Sequence, residues 1–236
     1  MTNIEFVEEL KKIEKQKTQY ATGAFGAVVG LYNNRERYAK NSTKSTAAKI
    51  MAAPDDCFMF DCVNLGKSLL WNFSFDLTKR YGGANYKAND VPDFGVKNIH
   101  KYCSVWTSDG CTVPSLITPG EALRTSSMDH IAWYIGEGKI IESTQKGDCK
   151  VRIADLSSRK WEGHGKLLYI DFFDRKKGDV NGDGKIDARD YMLCKRIVMK
   201  TYSPSEIEKW AADINNDGKV SALDYVRLKR MVLNND

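Results

Sequence analysis

The chain has 236 residues, room for one medium domain and one small one. Its 36 basic and 31 acidic residues leave a formal net charge of +5, too mild for the footprint of a nucleic-acid binder. No run is apolar for long enough to span a membrane.

The start, Met1-Thr2-Asn3-Ile4-Glu5-Phe6, shows no signal peptide. The expectation is accumulation in the cytoplasm, or a place outside the cell if a leader was trimmed. Residues 2–18 read as an amphipathic helix. Thr2 and Glu5 make a capping box, and Ile4, Val7, Leu10 and Ile13 recur at helical spacing. A glycine-punctuated turn follows through Gly26. Residues 33–49 are polar and read as a surface loop entering a short helix.

The six cysteines (57, 62, 103, 111, 149 and 194) are irregularly spaced, as neither a disulfide framework nor a zinc site would be. Most read as small buried hydrophobes. Cys62 differs. Asp61 is placed to cap a helix starting at Cys62, with apolar residues at 65, 69, 70 and 73 giving it a buried face. A cysteine at a helix N-terminus feels the positive end of the macrodipole, which favours its thiolate. The alternative is a buried structural cysteine. Residues 74–118 read as loops and short helices, with Trp106 and several tyrosines available to line a cleft.

After Pro119-Gly120-Glu121, two apolar runs flank Gly136-Glu137-Gly138 and read as a hairpin. A three-residue loop sets His130 opposite residue 144. Glu142 then lies on the same face, about 7–8 Å away diagonally, within reach of the imidazole. A carboxylate so placed orients the ring, as the third member of a nucleophile–base–orienter trio does. Of the other two histidines, His100 lies in a polar loop and His164 in an apparent turn. Residues 166–173 read as a closing apolar strand. The domains are then 1–173 and 178–236, joined by a short linker at 174–177.

The tail carries a stretch that occurs twice, thirty-four residues apart. Asp179, Asn181, Asp183, Asp187 and Asp190 stand at the first, third, fifth, ninth and twelfth places of one loop. Asp213, Asn215, Asp217, Ser221 and Asp224 stand there in the other, and the Lys185 and Lys219 carbonyls take the seventh place. Calcium takes roughly six to eight oxygen ligands, and this spacing supplies them around a glycine at the sharp turn. Two calcium ions are the expected cofactors, with no organic group. Ser221 acts through a water, so the second site is expected to be slightly weaker. Aspartate at the twelfth place and the lack of an entering helix set both loops apart from an ordinary EF-hand.

The segments 190–198 and 224–232 also match, so the unit is loop plus helix, duplicated. Over its whole length the tail resembles a type I dockerin. That resemblance implies two units packed with a pseudo-twofold relation, either helix able to face a cohesin module. The recognition positions it implies are Ala188, Arg189, Lys195 and Arg196, then Ala222, Leu223, Lys229 and Arg230. Ala-Arg and Ala-Leu replace the commoner Ser-Thr, which leaves the cohesin open. A dimer or a self-docking contact through the tail is the other partner reading.

The first domain also carries a resemblance. Asp61-Cys62-Val63-Asn64-Leu65 is similar to the Asp-Cys-Ser-Gly-Leu signature of NlpC-type cysteine peptidases. Pro119-Gly120-Glu121 is similar to their Pro-Gly-Asp, and His130 to Glu142 to their histidine strand pair. The resemblance runs from about residue 15 to 173. It implies a papain-like α+β core, with Cys62 on a helix packed on a sheet bearing His130. It also implies hydrolysis of an amide bond in bacterial peptidoglycan, with Cys62 nucleophile, His130 acid–base and Glu142 orienter. Tyr20 falls where the family often has an aromatic near the nucleophile. Val63-Asn64 replaces Ser-Gly, and Glu142 replaces a more usual His, Asn or Gln. A Cys-His-Glu set resembles CHAP amidases too, so the bond cut is open between a stem-peptide amide and the muramoyl–alanine amide. The first reading is therefore a wall hydrolase, phage endolysin-like, with a calcium-binding docking module. The second is a cellulosome component whose first domain is a non-wall peptidase or an inactive binding domain. In a third, the tail is purely structural.

Overall fold

A computed structural model describes residues 1–172 and 176–233. The chain divides into two compact units, Met1–Phe172 and Phe173–Asp236. The first is α+β and the second is built of helices.

Helix α1 (Asn3–Glu14) starts as its residues dictate. The Thr2 hydroxyl accepts the Glu5 amide at 3.1 Å, and the Glu5 carboxylate accepts the Thr2 amide at 2.8 Å. Ile4, Val7, Leu10 and Ile13 are all buried, with Phe6 beside them. The helix is shorter than the periodicity predicts, because Thr18–Tyr20 is drawn off as strand β1. Strands β2 (Phe25–Val28) and β3 (Phe58–Phe60) complete a three-stranded sheet with β3 in the centre, parallel to β1 and antiparallel to β2. Between β2 and β3 the predicted short helix is α3 (Lys44–Ala52), but the loop predicted before it is also helical, α2 (Asn34–Lys40). A polar residue anchors α2: buried Asn34 donates to the Val28 and Arg80 carbonyls at 2.8 and 3.0 Å. No apolar stripe announces such a helix.

Helix α4 (Asn64–Leu70) has all seven residues buried. Lys67 is among them, its ammonium donating to Asp93 and to the Phe94 carbonyl. It lies 5.0 Å from the centre of the Trp71 ring, which spreads the charge over an aromatic face.

The second sheet holds β4 (Cys103–Thr107), β5 (Ala122–Thr125), β6 (Ile131–Gly136), β7 (Lys139–Ser143), β8 (Val151–Asp155) and β9 (Trp161–Leu167). Its order is β4-β9-β5-β6-β7-β8, with every neighbouring pair antiparallel. The β6–β7 connection is a two-residue turn, not three. Glu137 and Gly138 both have positive φ (55° and 68°), as a type I′ turn requires. A bulge between Tyr134 and Gly136 absorbs the extra residue, so Trp133 still pairs with Ile141. The face predicted for His130 and Glu142 is therefore kept.

Three other expectations are corrected. His164 lies within β9, not in a turn, paired with Leu123. Of the strand predicted at 166–173, only Lys166 and Leu167 are strand, and residue 173 lies outside the described residues. Trp106 does not line the cleft described below. It packs on the sheet, where glycine at 163 leaves room for the indole, and Arg124 lies 4.9 Å over its ring.

The second unit has helices α5 (Ala188–Val198), α6 (Glu206–Ala212) and α7 (Ala222–Leu233). The capping box of Ser205 and Glu208 starts α6, a signal legible in the sequence. Val180, Cys194, Ile197, Ala212 and Leu228 form the core. Tyr191 and Tyr225 occupy equivalent places in the two repeats. Their rings stack with centres 4.5 Å apart, and their hydroxyls touch. Equivalent residues meeting face to face is what a twofold relation produces.

Helix α4 packs tightly on β6, where a Cβ at Gly66 would overlap the Trp133 indole. Gly66→Ala should therefore lower stability by about 1–3 kcal/mol, read as a drop in thermal midpoint. A higher midpoint, the ordinary gain from replacing a helical glycine, would show the packing to be otherwise.

Candidate active site

Cys62 stands in the turn between β3 and α4. Asp61 organises that turn: one carboxylate oxygen accepts the Asn64 amide at 2.6 Å, and the other accepts the Asn64 side chain at 2.8 Å and the Gly23 amide at 2.9 Å. Asp61 thus caps α4 as predicted, but the helix starts at Asn64, two residues after Cys62. The Ile131 amide, of the residue after His130, lies close enough to the Cys62 sulfur to favour its thiolate. Cys62 and His130 thus both adjoin the root of β6.

The predicted standing thiolate is not what this environment favours. Burial and the Asp61 carboxylate push the Cys62 thiol up to about 12, and the Ile131 and Val63 amides only partly oppose them. Cys62 is a thiol at neutral pH until a base takes its proton.

His130 is held on both sides. Its amide donates to the Thr125 hydroxyl at 3.2 Å, which also meets Asp129 at 2.9 Å. Its imidazole Nε2 is 2.7 Å from Glu142 Oε2, which leaves Nδ1 for another partner. Glu142 is 0 % exposed and sits among cations. Arg152, its cross-strand partner on β8, donates Nε and Nη2 to Oε1 at 3.0 and 2.9 Å. Arg159 donates Nε to Oε2 at 2.6 Å and Nη2 to the Thr144 hydroxyl at 3.0 Å. Burial alone would raise the Glu142 pKa, but hydrogen bonds from His130 and Arg159 outweigh it and bring it to about 2. Glu142 is an anion under all ordinary conditions.

Tyr20 ends β1 with its hydroxyl among Thr22, Gln145, Cys62 and Asp61. Burial, then the Cys62 and Asp61 charges, push it up to about 12. It remains a neutral phenol that can donate. A cleft of about 820 Å³ opens on this side, lined by Tyr20, Asp129, His130, Thr144, Arg159 and Lys160 among others. The structure thus gathers Cys62, His130, Glu142 and Tyr20 in one place.

Arg152 and Arg159 were not singled out in the sequence. Arg152 was findable: once β7 and β8 pair as a hairpin, it falls opposite Glu142. Arg159 lies past a short 3-10 turn, where no periodicity points to a partner. Glu121, of the Pro-Gly-Glu segment, lies elsewhere on the sheet, in a buried pair with His164. His164 donates from its other nitrogen to the Asp109 carbonyl at 3.0 Å, so both ring nitrogens meet acceptors. Its pKa is raised accordingly, first by the Glu121 contact.

In the second unit each carboxylate at the first place of a loop folds the loop around itself. Asp179 accepts the Gly182 and Gly184 amides at 2.8 and 3.1 Å, and Asp213 accepts those of Asp217 and Gly218 at 3.2 and 3.0 Å. The last places mirror this. Asp190 accepts the Asn181 and Asp187 amides at 2.9 Å each, and Asp224 those of Asn215 and Ser221 at 3.1 and 2.8 Å. Asp183 and Asp217 accept the Lys185 and Lys219 amides. These four end carboxylates are buried, and the donor set is all oxygen, which suits a hard ion. Among the described residues, however, no three acidic, histidine or cysteine side chains converge closely enough to hold a metal. Ala188, Arg189, Lys195 and Arg196 on α5 are exposed, as are Ala222, Leu223, Lys229 and Arg230 on α7. Arg189 also reaches back to Asp183 and Asp187 at 2.8 Å.

No curated protein matches the chain. Solved structures that do include NlpC1 and NlpC2 of Trichomonas vaginalis, at 15 % and 16 % identity, with TM-scores of 0.39 and 0.38. Each match covers 70 % of this chain but only 44 % and 46 % of the other, so the chain spans less than half the length of either. A likeness that distant does not by itself establish a fold or an activity. The family match is firmer and local. Residues 177–233 match the dockerin type I domain, and with its duplicated loop–helix units the C-terminal part of this chain is a dockerin.

Proposed function

We propose that the first unit is a cysteine hydrolase that cuts an amide bond of bacterial peptidoglycan, carried to its site of action by the dockerin. The observation that carries the hydrolase reading is the Cys62–Ile131 contact beside a His130 oriented by Glu142. The wall as substrate is supported by the likeness of the Asp61–Leu65, Pro119–Glu121 and His130–Glu142 segments to NlpC-type signatures. The dockerin favours a scaffold-borne enzyme over a free endolysin.

The mechanism follows from Cys62 resting as a thiol. His130 takes the Cys62 proton as the sulfur attacks the amide carbonyl, forming the C–S bond. The Cys62 amide, in the turn before α4, is placed to donate to the oxyanion. The imidazolium, held by Glu142, passes its proton to the leaving amine as the C–N bond breaks. His130 then takes a proton from water, whose oxygen attacks the thioester carbon, and returns it to the departing sulfur.

In the dockerin, Asp179, Asn181, Asp183, Asp187, Asp190 and the Lys185 carbonyl would hold one calcium ion. Asp213, Asn215, Asp217, Ser221, Asp224 and the Lys219 carbonyl would hold a second. The ions would fix the two loops against their helices, so metal binding and folding are coupled. The exposed Lys195-Arg196 and Lys229-Arg230 pairs would meet the cohesin.

Three outcomes test this. Mass spectrometry of peptidoglycan digests should show new fragments with the intact chain and none with Cys62→Ala, and their masses name the bond. EDTA should leave those fragments unchanged while lowering the melting temperature of the dockerin, with calcium but not magnesium restoring it. Alkylation of Cys62 by iodoacetamide should be slow at neutral pH and climb steadily into the alkaline range, since a thiol titrating near 12 exposes more thiolate as pH rises. Fast, flat labelling below pH 7 would mean a standing ion pair instead.

A further inference from the structure

Glu142 has an unusual setting for a residue that orients a catalytic histidine. A carboxylate facing an imidazole alone raises its basicity and favours the imidazolium. Glu142 instead shares its negative charge with two guanidiniums, and the division is specific. Arg152 takes Oε1 with two donors. Arg159 takes Oε2, the same oxygen that faces His130. The Arg159 side chain is 9 % exposed and is anchored at its far end by Thr144, next to the cleft. A nearly buried cation thus competes with His130 for one oxygen.

We propose that Arg159 is a positioning residue for the catalytic pair: by sharing Glu142 Oε2 it fixes that oxygen under His130 and tempers the charge the imidazole sees. His130 is then oriented by a carboxylate whose charge Arg159 partly offsets. This rests on the hydrolase reading, and it accounts for why glutamate serves here in place of an uncharged residue. Two cations cancel the charge and leave the hydrogen bond.

The groups around His130 are few. Cys62 and Asp61 precede α4, Tyr20 ends β1, and Asp129 precedes His130. Glu142 is on β7, Arg152 on β8 and Arg159 beyond it. Lys146 and Lys160 are exposed on the cleft wall. Among the described residues, only Arg159 donates to the oxygen that His130 uses.

The test is a nitrogen-15 NMR titration of the three histidines in the intact chain, paired with the pH profile of kcat/KM on peptidoglycan. In Arg159→Gln the His130 midpoint should rise by about one pH unit, since a neighbouring cation is removed. The acid limb of kcat/KM should move up with it. Arg159→Lys, which keeps the charge but cannot reach Oε2 and Thr144 together, should hold the midpoint near its original value and lose kcat. A merely structural role would lower kcat with the limb in place. A folded Arg159→Gln whose His130 midpoint does not move overturns the proposal. If that variant fails to fold, Thr144→Val, which frees only the far end of Arg159, should raise the midpoint by a few tenths of a unit, and no displacement overturns the proposal equally. If the parent chain cuts no peptidoglycan, the hydrolase reading falls, while the NMR midpoint still decides what Arg159 does.

Discussion

A fully buried carboxylate cannot exist without partners, and the first unit is arranged around meeting that demand at Glu142. Its four hydrogen bonds come from His130, Arg152 and Arg159. Those partners arrive from β8, from the segment after it and from the residue before β6. The outer strands and the cleft wall therefore converge on one charge. Removing that charge would strand two guanidiniums and release the imidazole together. The site and the stability of this corner of the sheet are one structure.

The geometry of the pair is set further away, at the other end of the β6–β7 hairpin. Side chains on a strand alternate, so a one-residue slip would send Glu142 to the opposite face. A type I′ turn alone would cause such a slip relative to a three-residue loop. The bulge at Tyr134–Gly136 restores the phase. Cys62 is brought up independently, by the Asp61 turn and by α4 lying tight on Trp133 through Gly66. Two rigid elements that adjoin at the root of β6 thus set the reacting atoms, while the cleft beside them is built from loop residues.

The dockerin works by a different economy. It has a small apolar core around Cys194 and Leu228, and much of its order comes from carboxylates collecting main-chain amides. The Tyr191–Tyr225 stack joins the two repeats at equivalent positions, so the duplication in sequence becomes a symmetry in space.

How much of this could be read beforehand depended on range. The capping box and stripe of α1, the two loop–helix repeats, the Asp61 cap and the hairpin bearing His130 and Glu142 are all local, and spacing alone displayed them. What escaped was non-local or polar. Helix α2 is pinned by Asn34, β4 exists only because β9 is there to pair with it, and Arg159 reaches Glu142 from beyond a turn. The Cys62 thiol was misjudged for the same reason. Sequence showed the helix start that favours a thiolate, but not the burial and the Asp61 charge that oppose it more strongly. Sequence by itself determined which residues could do chemistry and which loops could hold a cation, because those are matters of residue type and short spacing. The tertiary structure decided which charges surround them, because in a buried site the neighbours contributed by distant strands outweigh what a residue's own helix or strand supplies.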